Sequence, residues 1–535
     1  MLGVISAGDE KTAAAGAEIL RKGGNAVDAA VAAAFVSFIA EIGVVHLGGS
    51  GIAQVYKPAS NGQPAISRVY DFFSTMPGLG RPGLPENLDF EKVTVDFGPA
   101  TQEFYLGRGS VAVPGGIVGL CRLAEDAGRL PLEELLKPVT QLARDGVYLS
   151  KFQTDTCELL APLYTHTPDI RDIFTRNGRH ITPDDRFVIP HLAHTLNMLA
   201  SEGEEFARKG ALAQAIIKDQ AANGGLITAE DLEQFEVAVK QPISVAYRDY
   251  EVLLPPPSSS GGVLSAFTLI LLGNFDVQQF EHHSPKHLQL LFEVMAATTR
   301  ARPVWDSLLD ENTPDKALAY FLHPSFVSRY ADEVRSALSG DFDFPVLSEP
   351  SARPDTSHLS VIDGDGLAVG LTTTAGESAG FILPGTGMIP NNILGEEDLH
   401  PAGFHCLPAG QRINTMMMPT IVLHKGKIRL VVGSGGSIRI RSAVLQTLSN
   451  LVDFRMKLVD AVNSARVHLE NGVLQCEHGV DPQSLDQLES WGYRINRWDR
   501  RSIYFGGAHS VSRTSSGILV AAGDNRRGGS VQVVD

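Results

Sequence analysis

The stretch DTSHLSVIDGDGLAVGLTTT, residues 355 to 374, decides how the chain folds. His358 to Asp363 alternates between apolar and polar character, Gly364-Asp365-Gly366 supplies a turn, and Leu367 to Thr374 alternates again. Alternation on both sides of a glycine-containing turn predicts a β-hairpin. The first strand begins just after Asp355 and Thr356, so this polar start is either an ordinary strand end or a reactive site.

Thr356 becomes a plausible nucleophile only under one condition. A threonine hydroxyl is a poor nucleophile unless a base lies beside it, and an N-terminal threonine carries that base as its own α-amine. The amine titrates near pH 7 to 8, which suits a general base. Thr356 is internal, so the chain would first have to cleave itself between Asp355 and Thr356. From these residues alone, a polar strand start is the simpler interpretation.

The segments around the hairpin predict a layered α/β architecture. Residues 9 to 22 and 26 to 40 have helical spacing, and the HLGGSG loop at 46 to 51 allows close backbone approach. Residues 94 to 116 form an irregular, mixed segment, and residues 116 to 350 have mainly helical spacing.

Strands dominate after residue 358. They include TIVLH and IRLVVGS, and later SIYFG, AHSVSR and GILVAA, with two helices predicted over 440–453 and 457–466. The composition changes near residue 350, in SEPSARPDTSH, which has the character of a linker or a cleavable segment.

Composition excludes several classes of partner. Lys+Arg is 45 and Asp+Glu is 61, a formal charge of −16, which argues against nucleic acid or an anionic membrane. The longest apolar run, residues 26 to 45, contains Asp28 and Glu41, so we expect a buried helix and no membrane span. Four dispersed cysteines favour a reducing compartment, and the chain as given starts without a signal-peptide pattern, so we expect a cytoplasmic location.

Metal binding is not indicated by the histidines or by DGDG. His282, His283, His287, His400 and His405 lack the HExxH spacing, and DGDG lacks the rest of a calcium loop. The segment VVGSGGSIRIRS, 431 to 442, is more informative, because a glycine-rich turn before a helix exposes backbone N–H groups. These could bind a phosphate or a developing oxyanion, or the segment could be only a tight turn.

Several separated motifs together resemble the γ-glutamyltranspeptidase family. They are AAAGAEILRKGGNAVDAAVAAAF, HLGGSG, GSVAVPGG, GGLITAEDL, the hairpin itself, NTMMMPTIVL, GSGGSIRIRSAVLQ and GAHSVSR followed by GDNRRGG. The resemblance covers essentially the whole chain. It implies a four-layer αββα sandwich of the N-terminal-nucleophile hydrolase type, with two stacked antiparallel sheets flanked by helices. It also implies a precursor that cuts itself into a large subunit, 1–355, and a small subunit, 356–535, which stay together as one intertwined unit.

The resemblance also implies roles for individual residues. Thr356 would be the nucleophile, and the hydroxyl of Thr374 would bond to it. Gly436 and Ser437 would supply the N–H groups of an oxyanion hole, with Gly435 beside them in contact with substrate. No metal and no organic cofactor would be needed.

The substrate-binding residues follow in the same way. Arg81 or Arg108 would hold a substrate carboxylate, Glu396 and the adjacent Glu397 an ammonium group, and Thr415 would offer a hydroxyl. The acidic cluster could also be only a solvated loop. The segment between Glu396 and Arg412 is short, which leaves the site open to larger acyl groups.

Three functions compete. The first is a self-processing γ-glutamyl hydrolase or transferase acting on glutathione-like donors, with water or an amine as acceptor. The second keeps the nucleophile but cleaves another amide, such as an acylated β-lactam nucleus or a small dicarboxylic monoamide. The third is an uncleaved, inactive binding protein, against which the intact hairpin and GSGG loop argue. The sequence leaves open whether the protein forms a homo-oligomer.

Overall fold

The computed structural model describes residues 1–60, 62–96, 101–340, 356–400 and 403–535. Within this part, the helices are Glu10–Arg21 (α1), Ala26–Ala40 (α2), Gly116–Ala127 (α3), Leu132–Asp145 (α4), Lys151–Leu159 (α5), Ala161–Tyr164 (α6), Pro168–Phe174 (α7), Leu192–Glu202 (α8), Glu205–Arg208 (α9), Ala211–Ala222 (α10), Ala229–Glu233 (α11), Ser260–Leu272 (α12), Pro285–Glu311 (α13), Pro314–Phe321 (α14), Pro324–Ser339 (α15), Arg439–Val452 (α16), Leu458–Asn463 (α17) and Pro482–Ser490 (α18).

The strands of the same part are Gly3–Ala7 (β1), Ser50–Lys57 (β2), Ile66–Phe72 (β3), Glu91–Asp96 (β4), Thr101–Leu106 (β5), Val147–Tyr148 (β6), Thr175–Arg176 (β7), Arg179–His180 (β8), Arg186–Phe187 (β9), Ala238–Lys240 (β10), Ile243–Tyr247 (β11), Tyr250–Leu254 (β12), Ser357–Asp363 (β13), Ala368–Thr374 (β14), Thr420–His424 (β15), Lys427–Val432 (β16), Val467–Glu470 (β17), Val473–Cys476 (β18), Ile495–Arg497 (β19), Ser510–Arg513 (β20), Leu519–Ala522 (β21) and Ser530–Val534 (β22).

Local sequence signals explain the first two helices. Gly23 takes a φ of +89°, which favours glycine and ends α1. Asn25 then caps α2: its side chain accepts from the N–H groups of Val27 and Asp28, and Asp28 bonds back to the Asn25 N–H. Every residue of α2 is buried, because this alanine-rich helix lies between other elements on all its faces.

The predicted hairpin forms the middle of the larger sheet. Strands β13 and β14 pair antiparallel, with Ser357 opposite Thr373 and Ile362 opposite Ala368. Among the described residues, this sheet has the order β10-β3-β2-β14-β13-β1-β22. Strands from before and after residue 356 therefore alternate within one hydrogen-bonded sheet.

The second large sheet has the order β11-β12-β15-β16-β20-β21 among the described residues and is also antiparallel. An apolar layer joins the two sheets, formed by residues such as Val4, Ile362, Ile421 and Val431. Helices α1 and α2 cover the outer face of the larger sheet, and α12 and α16 pack in the core on the outer side of the second sheet. The predicted αββα layering is thus confirmed.

Some local predictions were wrong. Residues 94–116 are not irregular throughout, because β4 and β5 pair there. Among the described residues, the mainly helical region is interrupted by the seven strands β6 to β12, and residues 503–505 of SIYFG form a 3-10 turn instead of a strand. The linker-like stretch before Thr356, with Asp355, lies outside the described residues.

None of the helices in the described part of the chain is long and apolar enough to cross a membrane. All four cysteines are free thiols; Cys406 is exposed and the other three are buried.

Candidate active site

Thr356 lies at the centre of the candidate site. It is buried, immediately before β13, and continuation of the hairpin register places it opposite Thr374. Thr374 ends β14, and its hydroxyl oxygen accepts from the Gly376 N–H at 3.1 Å. The hairpin therefore brings the two predicted threonines together, since residues opposite each other on neighbouring strands have Cβ atoms roughly 5 Å apart.

The glycine-rich loop after β16 packs directly on the Thr356 backbone. A Cβ atom on Gly435 would lie 2.0 Å from the Thr356 carbonyl oxygen, so only glycine fits there. Gly433 is similarly close to the ring of His358, where a Cβ would lie 2.4 Å from Nδ1. The prediction of a glycine turn between a strand and a helix is confirmed, because this loop joins β16 to α16.

The two predicted oxyanion-hole residues take unusual backbone conformations. Gly436 has a φ of +112° and Ser437 a φ of +51°, which non-glycine residues adopt rarely. The Ser437 hydroxyl donates to Asp398 Oδ2 at 2.6 Å. This bond ties the loop to a buried carboxylate.

Asp398 was missed by the sequence analysis. It is 6% exposed, and its Oδ1 atom has no hydrogen-bond partner among the described residues. Burial raises the pKa of this carboxyl, although the Ser437 hydroxyl and nearby Arg439 oppose the shift. An unsatisfied carboxylate oxygen next to the loop could accept a bond from an ammonium group.

The predicted acidic residues are placed differently from one another. Glu396 is buried, and its Oε1 would lie 3.0 Å from a Cβ on Gly376. Glu397 is exposed. Residues 397–399 form a 3-10 turn, so Glu396 and Asp398 are buried while the residue between them faces solvent. The run of three acidic residues was the available sequence signal, but it did not show which side chains turn inward.

The two candidate arginines are engaged with other partners. Arg108 bonds to Asp219 through Nε at 3.1 Å and Nη2 at 3.2 Å, and its guanidinium lies 3.8 Å above the Phe381 ring. Arg81 donates to the Gly225 carbonyl at 3.0 Å. Their role in binding a substrate carboxylate stays a prediction.

Thr415 is buried before β15. Its N–H donates to the Ser258 carbonyl at 3.0 Å, and its hydroxyl accepts from the Met417 N–H at 3.2 Å. A role in substrate binding for Thr415 likewise stays a prediction.

Further residues around Thr356 were not assigned roles by the sequence analysis. Arg527 lies in the quoted GDNRRGG motif, and its Nη1 donates to the Thr356 carbonyl at 3.5 Å. Glu41 accepts hydrogen bonds from the hydroxyls of Ser357 and Thr12, and burial raises the pKa of its carboxyl to about 7.

His358 is buried and hydrogen-bonded within the hairpin. Its ring nitrogens bond to the hydroxyls of Thr372 and Ser360 at 2.8 and 2.9 Å, and burial holds its pKa well below the usual value. With a neutral ring and both nitrogens already bonded, His358 is not placed to act as a base.

Comparison with known proteins gives a consistent result. The sequence model of the family described as Gamma-glutamyltranspeptidase matches residues 12–534. A curated relative, the Acylase ACY 1 proenzyme of Pseudomonas sp. (strain V22), is 32% identical over 97% of this chain and 91% of its own. The Glutathione hydrolase proenzyme of Escherichia coli (strain K12) is 28% identical over 98% and 90%. The crystal structure of a cephalosporin acylase from Bacillus halodurans shares the fold, with a TM-score of 0.80, 22% identity and coverage of 99% and 95%.

Proposed function

The chain belongs to the γ-glutamyltranspeptidase family, and we propose that it is a self-processing hydrolase or transferase of amides whose acyl group carries a free ammonium. γ-Glutamyl amides, including glutathione-like peptides, are the first candidates. Both curated relatives named above are proenzymes, which supports cleavage of this chain before Thr356.

The proposed reaction has two steps. The freed α-amine of Thr356 takes the hydroxyl proton while Oγ attacks the amide carbon, and the N–H groups of Gly436 and Ser437 stabilise the developing oxyanion. The C–N bond breaks, and the leaving nitrogen takes the proton. Water or an amine then attacks the carbonyl carbon of the threonyl ester and gives its proton to the same α-amine. The ester C–O bond breaks, Thr356 Oγ takes that proton, and the acyl group is released.

The position of Asp398 carries this proposal. Its Oδ2 atom is held by Ser437 of the predicted oxyanion-hole pair at 2.6 Å, while Oδ1 is buried without a partner among the described residues. A buried carboxylate is costly unless a cation or hydrogen-bond donor meets it. A substrate ammonium would supply the hydrogen-bond donor that Oδ1 lacks.

A second candidate function follows from the arginines. Arg108 is bonded to Asp219, and Arg81 to the Gly225 carbonyl. Their positions therefore do not support the predicted binding of a substrate α-carboxylate by either arginine. This favours an acylase that cleaves an amide without that carboxylate, in line with the acylase relatives.

Three p-nitroanilides distinguish these functions. The γ-glutamyl compound carries both charged groups, the 4-aminobutyryl compound lacks the carboxylate, and the glutaryl compound lacks the ammonium. With processed protein we expect release from the first two and the least from the third. Release from the 4-aminobutyryl compound equal to that from the γ-glutamyl compound would favour the second candidate. Fastest release from the glutaryl compound would contradict the ammonium requirement.

Asp398→Asn tests the ammonium site directly, with Glu397→Gln as the matched change at the neighbouring exposed residue. Loss of a charge-assisted hydrogen bond of roughly 1.5–3 kcal/mol should raise KM for the γ-glutamyl anilide by about tenfold or more. The glutaryl compound should be unaffected. If Glu397→Gln raises KM and Asp398→Asn does not, the ammonium is bound by the exposed carboxylate instead.

A further inference from the structure

A large cavity lies next to the glycine-rich loop, and its described lining includes neither Thr356 nor Asp398 of the proposed active site. Its volume is about 850 Å³, and it is bounded by α5, by residues 496–504 and by residues 525–527. Among the described residues that line it, six are arginines and two are aspartates. The whole chain has a net charge of −16, so this lining is opposite in sign to the protein as a whole.

Some of these arginines already have their charge balanced. Arg526 is buried between Glu477 and Asp524, and Arg497 pairs with Asp486 and Glu489. These two therefore hold the walls of the cavity in place and are not available to a ligand.

The other arginines of the lining face the cavity from its inner end and its rim. At the inner end are Arg439, which is buried 4.8 Å above the Tyr504 ring and forms an ion pair with Glu470, and Arg527, which donates to the Thr356 carbonyl. At the rim, Arg501 donates to the Asn463 carbonyl at 2.7 Å, and Arg500 has no ion-pair or hydrogen-bond partner among the described residues. Both rim arginines are exposed.

We infer that this cavity binds a small polyanion through Arg500 and Arg501 at its rim. Guanidinium groups bind carboxylate and phosphate oxygens in the same planar, bidentate manner, so the shared chemistry is that of an oxyanion. Two adjacent exposed guanidinium groups suit a ligand with more than one negative charge. The ligand would lie one side chain, Arg527, away from the Thr356 backbone.

Calorimetric titration of the processed protein with citrate and with inorganic phosphate tests this inference at constant ionic strength. Saturable binding of citrate alone identifies a polycarboxylate site, and tighter binding of phosphate identifies a phosphate site. The double variant Arg500→Gln/Arg501→Gln should weaken binding by about tenfold or more. Its anilide turnover without added anion should match that of the wild type.

The control removes the same two charges elsewhere on the surface. Arg329→Gln/Arg494→Gln changes two exposed arginines that do not line the cavity, and its affinity should stay that of the wild type. Absence of saturable binding for both anions would overturn the inference. So would equal weakening in the two double variants, since the effect would then be general electrostatics. Because binding is measured without turnover, failure here is distinct from failure of the proposed reaction.

Discussion

At the scale of single residues, the hydroxyl of Thr356 is expected to serve two reactions, cleavage of the chain and attack on substrate. Thr356→Ala removes that oxygen, so a denaturing gel should show one uncut chain, and p-nitroanilide release should fall to background. Thr356→Ser keeps an oxygen in the same place and should retain both reactions. A cut chain or measurable turnover in the alanine variant would show that another group is the nucleophile.

Glu41 gives a pH-dependent prediction. Its pKa is raised from 4.5 to about 7 by burial, so the folded protein binds this proton more tightly than the unfolded chain does. The resulting stability is fully present below about pH 4.5 and is lost as pH rises through about 7. We expect the Tm of Glu41→Gln to fall less steeply than that of the wild type over this window. Parallel curves would mean that Glu41 does not change its protonation between the two states.

The residue-level site could be predicted only in part. The hairpin alternation places Thr356 opposite Thr374, because strand register is a local property. Asp398 turns inward because it lies in a 3-10 turn. The sequence has no alternating pattern there that would show which side chains face the interior. The pairing of Arg108 with Asp219 joins residues 111 positions apart and has no local signal.

At the scale of elements, the loop between β16 and α16 depends on Gly435. Gly435→Ala would place a Cβ 2.0 Å from the Thr356 carbonyl oxygen, so either the loop or the nucleophile must move. Displacing an oxyanion-hole donor costs about 10²- to 10³-fold in kcat. Since this loop holds the proposed donors, we expect a loss of that size in kcat with γ-glutamyl-p-nitroanilide. Gly273→Ala, at the end of α12, meets its nearest atoms at 3.2 Å and should keep near-normal kcat. Equal activity of the two variants would place the oxyanion hole elsewhere.

Elements in which apolar residues recur at a regular spacing were predicted well. The limits of α2 match those expected, because Asn25 and Asp28 cap its start. Strands β6 to β12 were missed, since they lie in a region with mainly helical spacing and are short. Which strands become neighbours, such as β14 and β2, depends on contacts distant in sequence. The segment patterns therefore predicted a layered α/β architecture, and only the family resemblance implied two stacked sheets.

At the scale of the whole molecule, both large sheets combine strands from before and after residue 356. In the larger sheet, β14 lies against β2 and β13 against β1, through continuous antiparallel ladders. In the second sheet, β12 pairs with β15. Cleavage before Thr356 would therefore leave two chains joined by backbone hydrogen bonds and by the apolar layer between the sheets.

This arrangement predicts that the processed chains do not separate in native buffer. Size-exclusion chromatography should give one peak at the elution volume of uncut Thr356→Ala, while a denaturing gel of that peak should show two bands. Separation should need denaturant, because it exposes the shared core and breaks the ladders between chains. Residues 356–535 produced alone should be insoluble or unfolded, since β13 and β14 would lack β1 and β2. Two native peaks after cleavage, or a folded small fragment, would show that the two parts are independent units.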